Sequence, residues 1–294
     1  MKVFVTGASG FIGAAVVREL LANSHQVVGL VRSDPAAQAL QALGAQVQRG
    51  DLEDLPSLAK GAALADGVIH TAFIHDFSQY VRNCEIDRQA ILAMGEALKG
   101  SQRPLVVTSG TALLSGHPLA LEDHLAQHST VPRVASEQAA AHVREAGVNA
   151  SVVRLPPSVH GEGDHGFVPM LIGLARERGV AGYLGDGENR WPAVHRLDAA
   201  RLFRLVLERS QAANYHAVAE QGIAFKAIAQ AIGDGLKVPT RSVPDQQAEA
   251  HFAWMKHFAE MDNPASSAWT RQVLGWQPNA PGLLEDIAQA GYFA

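Results

Sequence analysis

Three glycines stand three residues apart near the start of the chain, in the segment Thr6-Gly7-Ala8-Ser9-Gly10-Phe11-Ile12-Gly13. A short β-branched run precedes the segment, and an amphipathic helical pattern follows it. Glycines in such a strand-to-helix turn let the backbone approach a pyrophosphate, whose charge is attracted by the N–H groups at the helix start. We therefore expect a dinucleotide site here, and the alternative is a purely structural glycine turn. The predicted contacts are Gly7, Ser9, Gly10, Phe11, Ile12 and Gly13.

The end of the second predicted strand carries Arg32 and Ser33, where NAD-binding proteins place an acidic residue for the adenosine 2′-hydroxyl. An arginine at this position can hold a 2′-phosphate through two N–H donors. We therefore expect NADP(H) to be preferred over NAD(H), and the alternative is a solvated surface arginine. Asp51 and Leu52, after the third predicted strand, are positioned to contact the adenine, although an aspartate in a turn is also ordinary.

Side chains capable of acting on a substrate follow the fourth, fifth and sixth predicted strands. Because parallel strands end at one ligand-binding edge, these side chains should meet at a single crevice. Ser109 and Thr111 are suited to hydrogen-bond a substrate carbonyl, unless they are plain strand-end hydroxyls. His75 and His160 are candidate proton donors, since histidine is the commonest general acid near neutral pH, and packing is the alternative for His160. The full set is His75, Asp76, Ser109, Thr111, His160, Asp164 and His165.

Two other chemistries are disfavoured by the same residues. The histidines and aspartates match no zinc signature and would have to come from separate loops, so no metal is expected. No G-x-S-x-G elbow is present, which argues against a serine hydrolase.

Strand-like and helix-like segments alternate through the first 155 residues, which predicts a doubly wound, mostly parallel α/β sheet of the Rossmann type. A smaller substrate-binding part should span 156–294, and segments from 190–220 are expected to complete the first domain. The predicted strands are 2–6, 27–32, 45–49, 67–72, 104–109 and 150–154. The predicted helices are 11–23, one from Asp34 to Gly44, 79–99, 133–146, 166–178, 196–209 and 223–233.

Several further segments resemble the extended, epimerase-like short-chain dehydrogenases and reductases over most of the chain. The resemblance implies an NAD(P) cofactor contacted also by Thr71 and Ala72, a small-molecule substrate, and a symmetric homodimer through the helices near 79–99 and 133–146. The segments are TGxxGxxG at 6–13, GDLED at 50–54, VIHTA at 68–72, VVTSG at 106–110, RLPPSVHGEG at 154–163 and AVHRLDAARL at 193–202.

The catalytic Tyr-x-x-x-Lys pair of that family is absent, and its pattern falls on Arg133 and Glu137. In the family the tyrosine protonates the substrate carbonyl, and the lysine lowers the tyrosine pKa and binds the nicotinamide ribose. An arginine stays charged and cannot replace that acid, but it could stabilise a developing oxyanion, and Glu137 could accept hydrogen bonds from the ribose. The alternative for the two residues is a surface salt bridge within one helical turn. The chain is therefore identified as similar to the atypical members of the family.

Composition limits the remaining classes. The chain has 24 basic and 29 acidic residues, so it lacks the basic excess typical of nucleic-acid-binding proteins. No segment approaches the roughly 20 apolar residues of a membrane span, and Met1 leads straight into a strand rather than a signal peptide. Cys84 is the only cysteine. We expect a cytoplasmic protein without membrane or nucleic-acid partners.

The sequence thus predicts an NADP(H)-dependent oxidoreductase, of the carbonyl reductase or alcohol dehydrogenase type, with a non-standard proton donor. A histidine, a water or Tyr183 would supply the proton to a small or medium carbonyl substrate. Two alternatives stay open, namely an inactive NADP(H)-binding redox sensor and a non-redox epimerase, isomerase or lyase. An aromatic stripe at 251–258 could line an apolar pocket, contact a partner subunit or pack the core.

Overall fold

The computed structural model describes residues 1–126, 129–209, 211–289 and 291–294. A seven-stranded sheet with the order β10-β6-β5-β4-β1-β2-β3 forms its centre, and all of its neighbouring strands are parallel. The strands are β1 (Lys2–Thr6), β2 (Gln26–Val31), β3 (Gln46–Arg49), β4 (Gly67–His70), β5 (Leu105–Gly110), β6 (Ala150–Leu155), β7 (Ser158–His160), β8 (Ala181–Leu184), β9 (Arg190–His195), β10 (Asn214–His216), β11 (Glu220–Ala224) and β12 (Thr240–Val243).

Helices cover both faces of this sheet, which is why its central strands are continuous apolar runs such as Val3, Phe4 and Val5. Helix α1 packs against α7 on one face, and α4 packs between α3 and α5 on the other. The helices are α1 (Phe11–Ala22), α2 (Asp34–Ala42), α3 (Leu55–Ala63), α4 (Tyr80–Leu98), α5 (Val134–Glu145), α6 (Phe167–Arg178), α7 (Arg196–Arg209), α8 (Phe225–Leu236), α9 (Asp245–Phe252), α10 (Lys256–Glu260), α11 (Ala268–Leu274) and α12 (Leu283–Gln289).

A smaller C-terminal part packs around its own core. Strands β11, β9 and β7 form a three-stranded sheet, and β12 pairs with β8. Trp191, Phe225 and Phe252 are almost fully buried in the core that these strands share with α6, α8 and α9. The predicted fold class, a doubly wound α/β sheet with a smaller C-terminal part, is confirmed.

Helix α3 was not predicted, although Asp54 caps it and Pro56 stands in its first turn. Strand β10 and helix α7 lie within residues 190–220 and belong to the central sheet and its cover. The domain boundaries stay a prediction. Among the described residues, no helix combines the length and apolarity needed to cross a membrane.

Candidate active site

The glycine loop between β1 and α1 forms a cradle that a side chain would fill. Gly7 has φ +66°, and a Cβ added to it would lie 2.7 Å from the backbone nitrogen of Ala72. A Cβ at Gly13 would overlap the carbonyl oxygen of Gly7. Gly10 is the N-cap of α1, and no side chain caps this helix. The first N–H groups of α1 are therefore available to an anion, and the residues present fit a dinucleotide pyrophosphate.

Thr71 and Ala72, which follow β4, pack against the glycine loop. The Thr71 hydroxyl donates a hydrogen bond of 2.8 Å to the carbonyl oxygen of Thr6. A Cβ at Gly13 would lie 2.9 Å from that same hydroxyl oxygen. Strand β4 ends at His70, so Thr71 and Ala72 lie in the following loop rather than in the strand. Their predicted contact with the cofactor stays a prediction.

Arg32 follows β2 and is exposed, and it makes no hydrogen bond or ion pair with any residue that the structure describes. The next residue, Ser33, caps α2 by accepting a hydrogen bond from the backbone of Ala36. Asp34 is the nearest acidic residue in the sequence, and its carboxylate is paired with Arg49. The end of β2 therefore presents an unpaired arginine, followed by an exposed aspartate that is paired with Arg49.

The two residues after β3 that are expected to contact the adenine differ in their exposure to solvent. Asp51 is exposed, and its Oδ1 accepts backbone hydrogen bonds from Glu53 and Asp54 at 2.9 and 3.0 Å. Leu52 is only 7% exposed and belongs to the core beneath the sheet. Asp51 thus shapes its own turn, and its role towards the adenine stays a prediction.

The buried carboxylate of Asp87, on α4, connects the end of β1 to the start of α5 through polar contacts. Asp87 is fully buried, with Oδ1 3.0 Å from His70 Nε2 and Oδ2 2.5 Å from Arg133 Nη1. Ser136 donates a second hydrogen bond of 2.5 Å to Oδ2. On its other side, His70 Nδ1 lies 2.7 Å from the hydroxyl of Thr6. A chain of polar contacts therefore runs from β1 through His70 and Asp87 to Arg133.

The charge of this carboxylate is stabilised by its partners. Burial by itself raises the pKa of Asp87, but Arg133, His70 and Ser136 together hold that pKa below its ordinary value. Asp87 is consequently an anion at neutral pH, and it fixes the Arg133 guanidinium at the N-terminus of α5.

Arg133 lies at the carboxyl ends of β4 and β5, against Thr108 and Phe73. Its side chain is 15% exposed, and Nη2 donates a hydrogen bond of 3.2 Å to the carbonyl oxygen of Thr108. The guanidinium carbon lies 4.1 Å from the centroid of the Phe73 ring. Burial lowers the pKa of His75, and the positive charge of Arg133 lowers it further by a smaller amount. Burial raises the pKa of Tyr80 to about 12, although Arg133 opposes that shift.

Glu137 has a separate partner on the sheet. The hydroxyl of Ser109 donates to Glu137 Oε1 at 2.8 Å, and Arg154 binds both carboxylate oxygens at 2.8 Å. The Arg154 side chain is fully buried. The alternative interpretation, a surface salt bridge between Arg133 and Glu137, is therefore wrong, because Asp87 and Arg154 lie closer to them. Glu137 orients Ser109 at the end of β5.

Two other predicted site residues are bound by the C-terminal part. Thr111 is fully buried and donates a hydrogen bond of 2.7 Å to Asn263 Oδ1. His160 is also fully buried, and its Nδ1 lies 2.7 Å from Asp286 Oδ2. Thr111 and His160 Nδ1 are thus paired with residues of the C-terminal part, whereas His160 Nε2 is buried without a hydrogen-bond partner among the described residues. Across the described segments, no three His, Cys, Asp or Glu side chains are grouped closely enough to hold a metal.

Within the aromatic stripe at 251–258, some side chains are buried in the core and one is exposed at the surface. Phe252 and Met255 are each 1% exposed, whereas Trp254 is 49% exposed. The Trp254 ring stacks on Phe77 at 5.1 Å, so the C-terminal part meets the loop after β4 there. Tyr183 instead lies under Lys226, whose Nζ is 5.5 Å from the ring centroid.

Sequence reasoning overlooked Asp87 and Tyr80. A signal existed only for Asp87, which shares one face of α4 with the buried residues Cys84, Ile91 and Met94. A charged residue inside such an apolar stripe is rarely buried without a partner.

Known proteins resemble this chain at several levels. Residues 3–219 match the sequence profile of the NAD dependent epimerase/dehydratase family. An uncharacterized protein of Saccharomyces cerevisiae is 52% identical over 291 residues, which is 98% of this chain and 98% of that protein. A 4-hydroxy-2-methyl-3-oxo-4-farnesyl-3,4-dihydroquinoline-1-oxide ketoreductase of Stigmatella aurantiaca is 32% identical over 190 residues, covering 60% of this chain and 56% of that protein.

The fold has close counterparts among solved structures. A double mutant of dTDP-glucose 4,6-dehydratase from Streptomyces venezuelae, solved with NAD, has a TM-score of 0.75 at 19% identity and covers 100% of this chain and 97% of that one. At this identity the likeness shows the fold alone. The family profile, in contrast, spans most of the chain and includes the glycine loop and the central sheet. The protein belongs to the NAD-dependent epimerase/dehydratase family, within the extended class of short-chain dehydrogenases and reductases.

Proposed function

We propose that the protein is an NADP(H)-dependent carbonyl reductase, reversible as an alcohol dehydrogenase, acting on a small or medium carbonyl compound. Membership of the family, the glycine cradle and the ketoreductase relative support a nicotinamide-dependent redox reaction. The unpaired Arg32 at the end of β2 supports NADP(H). The single, buried Cys84 is consistent with a reducing compartment such as the cytoplasm.

The observation that carries the proposal is the fixed guanidinium of Arg133 at the family's tyrosine position. Asp87, Ser136 and Thr108 bind the two terminal nitrogens of Arg133, and its Nε has no partner among the described residues. The bound cofactor supplies hydride transfer. Arg133 would hydrogen-bond the carbonyl oxygen and stabilise the negative charge that develops there. Asp87 prevents the guanidinium from reorienting, so little of this stabilisation is lost to reorganisation.

The proton must then come from another residue, and Tyr80 suits this role better than His75. A tyrosine whose pKa is about 12 is fully protonated at neutral pH and remains a stronger acid than the alcohol product, so it can protonate the alkoxide. The lowered pKa of His75 leaves that side chain mostly neutral at pH 7, so only a small fraction of it carries the proton that would be donated.

Tyr80→Phe is expected to slow NADPH consumption at least about tenfold, whereas His75→Ala should slow it by less than about threefold. Because the Tyr80 pKa lies far above the assay range, the wild-type rate should be flat between about pH 6 and 9. A His75 donor, whose pKa is lowered, would instead give a rate that rises as the pH falls, so the rates are also measured down to about pH 5. Steady-state rates of the three proteins across this pH range decide between the residues. A rise at low pH that His75→Ala abolishes would contradict the assignment to Tyr80.

Arg32→Gln is expected to weaken NADPH binding at least about tenfold and to leave NADH binding unchanged, because only NADPH carries the 2′-phosphate. Titration of the nicotinamide fluorescence gives both dissociation constants. Arg18→Gln, an exposed charge change on α1, is the matched control. Equal affinities of the wild type for NADPH and NADH would overturn the NADP(H) preference.

A second function is favoured by one specific observation. The hydroxyls of Ser109 and Thr111 both donate to side chains of the protein, Glu137 and Asn263. An NADP(H)-binding redox sensor has no substrate to hydrogen-bond, so it does not require the hydroxyls of Ser109 and Thr111 to be free. Such a protein would bind NADPH but consume none with any carbonyl compound.

A further inference from the structure

Arg196, the first residue of α7, extends along the loop after β7 towards the glycine cradle. A Cβ at Gly161 would lie 3.1 Å from Arg196 Cγ, and a Cβ at Gly163 would lie 3.9 Å from its Nη1. The guanidinium carbon is 5.1 Å from the ring centroid of Phe11, the residue that opens α1. The guanidinium therefore lies over the side chain of the first residue of α1.

Nothing among the described residues neutralises this guanidinium. Arg196 Nε is shielded from solvent and has no hydrogen-bond partner, and Arg196 forms no ion pair with a carboxylate in the described segments. Asp164, in the adjacent loop, accepts hydrogen bonds from the Gly166 backbone and the Tyr292 hydroxyl. Asp198, one helical turn or less away, accepts from the backbone at Asn279 and pairs with Arg201.

A cation and the positive end of a helix repel each other unless an anion lies between them. The uncapped N–H groups of α1 and the planar fork of Arg196 are both donors suited to phosphate oxygens. A diphosphate satisfies both at once, whereas a single carboxylate offers fewer acceptor oxygens. The partly buried Arg196 thus has the chemistry of a phosphate ligand, at the place where the glycine loop requires one.

We propose that Arg196, from the start of α7, binds the pyrophosphate of the dinucleotide together with the glycine loop. The inference rests on the proposed function for the identity of the anion, but not on the redox reaction. It makes cofactor affinity depend on two arginines with separate targets. Arg32 binds the 2′-phosphate that only NADP(H) carries, and Arg196 binds the pyrophosphate common to both dinucleotides.

Binding measurements with three probes separate these two targets. Dissociation constants for NADPH, NADH and adenosine 2′-monophosphate are measured for the wild type, Arg196→Gln, Arg196→Lys and Arg32→Gln. Arg196→Gln should weaken NADPH and NADH by the same factor, at least about tenfold, and leave adenosine 2′-monophosphate unchanged. Arg196→Lys should recover part of the affinity, since the charge remains and the fork is lost. Arg32→Gln should weaken NADPH and adenosine 2′-monophosphate but not NADH.

Arg18→Gln makes the same change of net charge at an exposed position of α1 and should alter none of the three constants. Dinucleotide affinities of Arg196→Gln within about twofold of the wild type would overturn the inference and leave the proposed function intact. An equal loss for all three probes would also overturn it, because it would indicate a distorted site. A wild type that binds neither dinucleotide would overturn both the inference and the proposed cofactor.

Discussion

Replacing Asp87 with alanine is expected to lower the free energy of unfolding by about 3–5 kcal/mol. The substitution leaves His70 Nε2 and Arg133 Nη1 without their acceptor in a region where Asp87 is fully buried. An unpaired buried charge costs far more than the lost pair contributes, because desolvation is no longer compensated. Equilibrium urea denaturation at pH 7 measures the difference. Asp87→Asn, which keeps the volume and part of the hydrogen bonding, should lose less and provides a folded variant.

Glu85→Ala is the matched control on the same helix. Glu85 is 55% exposed and pairs with Arg88 across one turn, so its loss should change stability by less than about 0.5 kcal/mol. The Asp87 effect should also depend on pH. Its folded pKa lies below the ordinary value near 3.9, so the stabilisation is complete above about pH 4 and is lost as the pH falls further. A loss for Asp87→Ala no larger than that of Glu85→Ala would show that Asp87 does not fix Arg133.

Arg133→Gln is expected to lower kcat/KM for the best carbonyl substrate by roughly 100- to 1000-fold, the effect of removing one oxyanion donor. The loss should appear in kcat rather than in KM, because the interaction strengthens as charge develops on the oxygen. Arg133→Lys should recover part of the rate, since an ammonium also stabilises an oxyanion. Steady-state kinetics of the three proteins test this prediction.

Two controls exclude indirect effects of that substitution. Affinity for NADPH should stay within about twofold of the wild type, because Arg133 contacts no part of the glycine cradle. Arg82→Gln removes a cation from the exposed face of α4, where Arg82 is 64% exposed, and should leave the rate unchanged. A full rate in Arg133→Gln would mean that the tyrosine of the family has no replacement at this position.

The central sheet and the glycine loop could be predicted from sequence because their signals are local. Alternating strand and helix patterns set the order of the elements, and the three glycines occupy one turn in which close backbone contacts exclude larger residues. Arg32 could be placed for the same reason, since it directly follows a predicted strand. These features need no knowledge of which distant residues come together.

The partners of Arg133 and Glu137 could not be predicted, since they come from elements distant in sequence. Asp87 lies on α4, 46 residues before Arg133, and Arg154 lies on β6, 17 residues after Glu137. Sequence spacing alone favoured a pair between the two residues, one helical turn apart. The tertiary packing of α4 and β6 against α5 decides otherwise.

Thr111 and His160 were assigned to the site because each stands after a strand of the central sheet. Their actual partners, Asn263 and Asp286, belong to the C-terminal segments, whose irregular pattern gives no guide to where they pack. Position at a strand end therefore gives the edge of the sheet at which a side chain lies, but not whether that side chain remains free there. Arg196 was missed for a related reason, since only the structure brings the start of α7 beside α1.

The central claim is net transfer of hydride from NADPH to a carbonyl compound. The most direct measurement incubates the protein with NADPH deuterated at the transferred position and a broad panel of ketones and aldehydes, and follows NADPH absorbance together with product mass. We expect loss of NADPH matched by one deuterium in an alcohol product, at a rate that Arg133→Gln strongly reduces. Tight binding of NADPH without any consumption or labelled alcohol would contradict the account and favour the redox sensor.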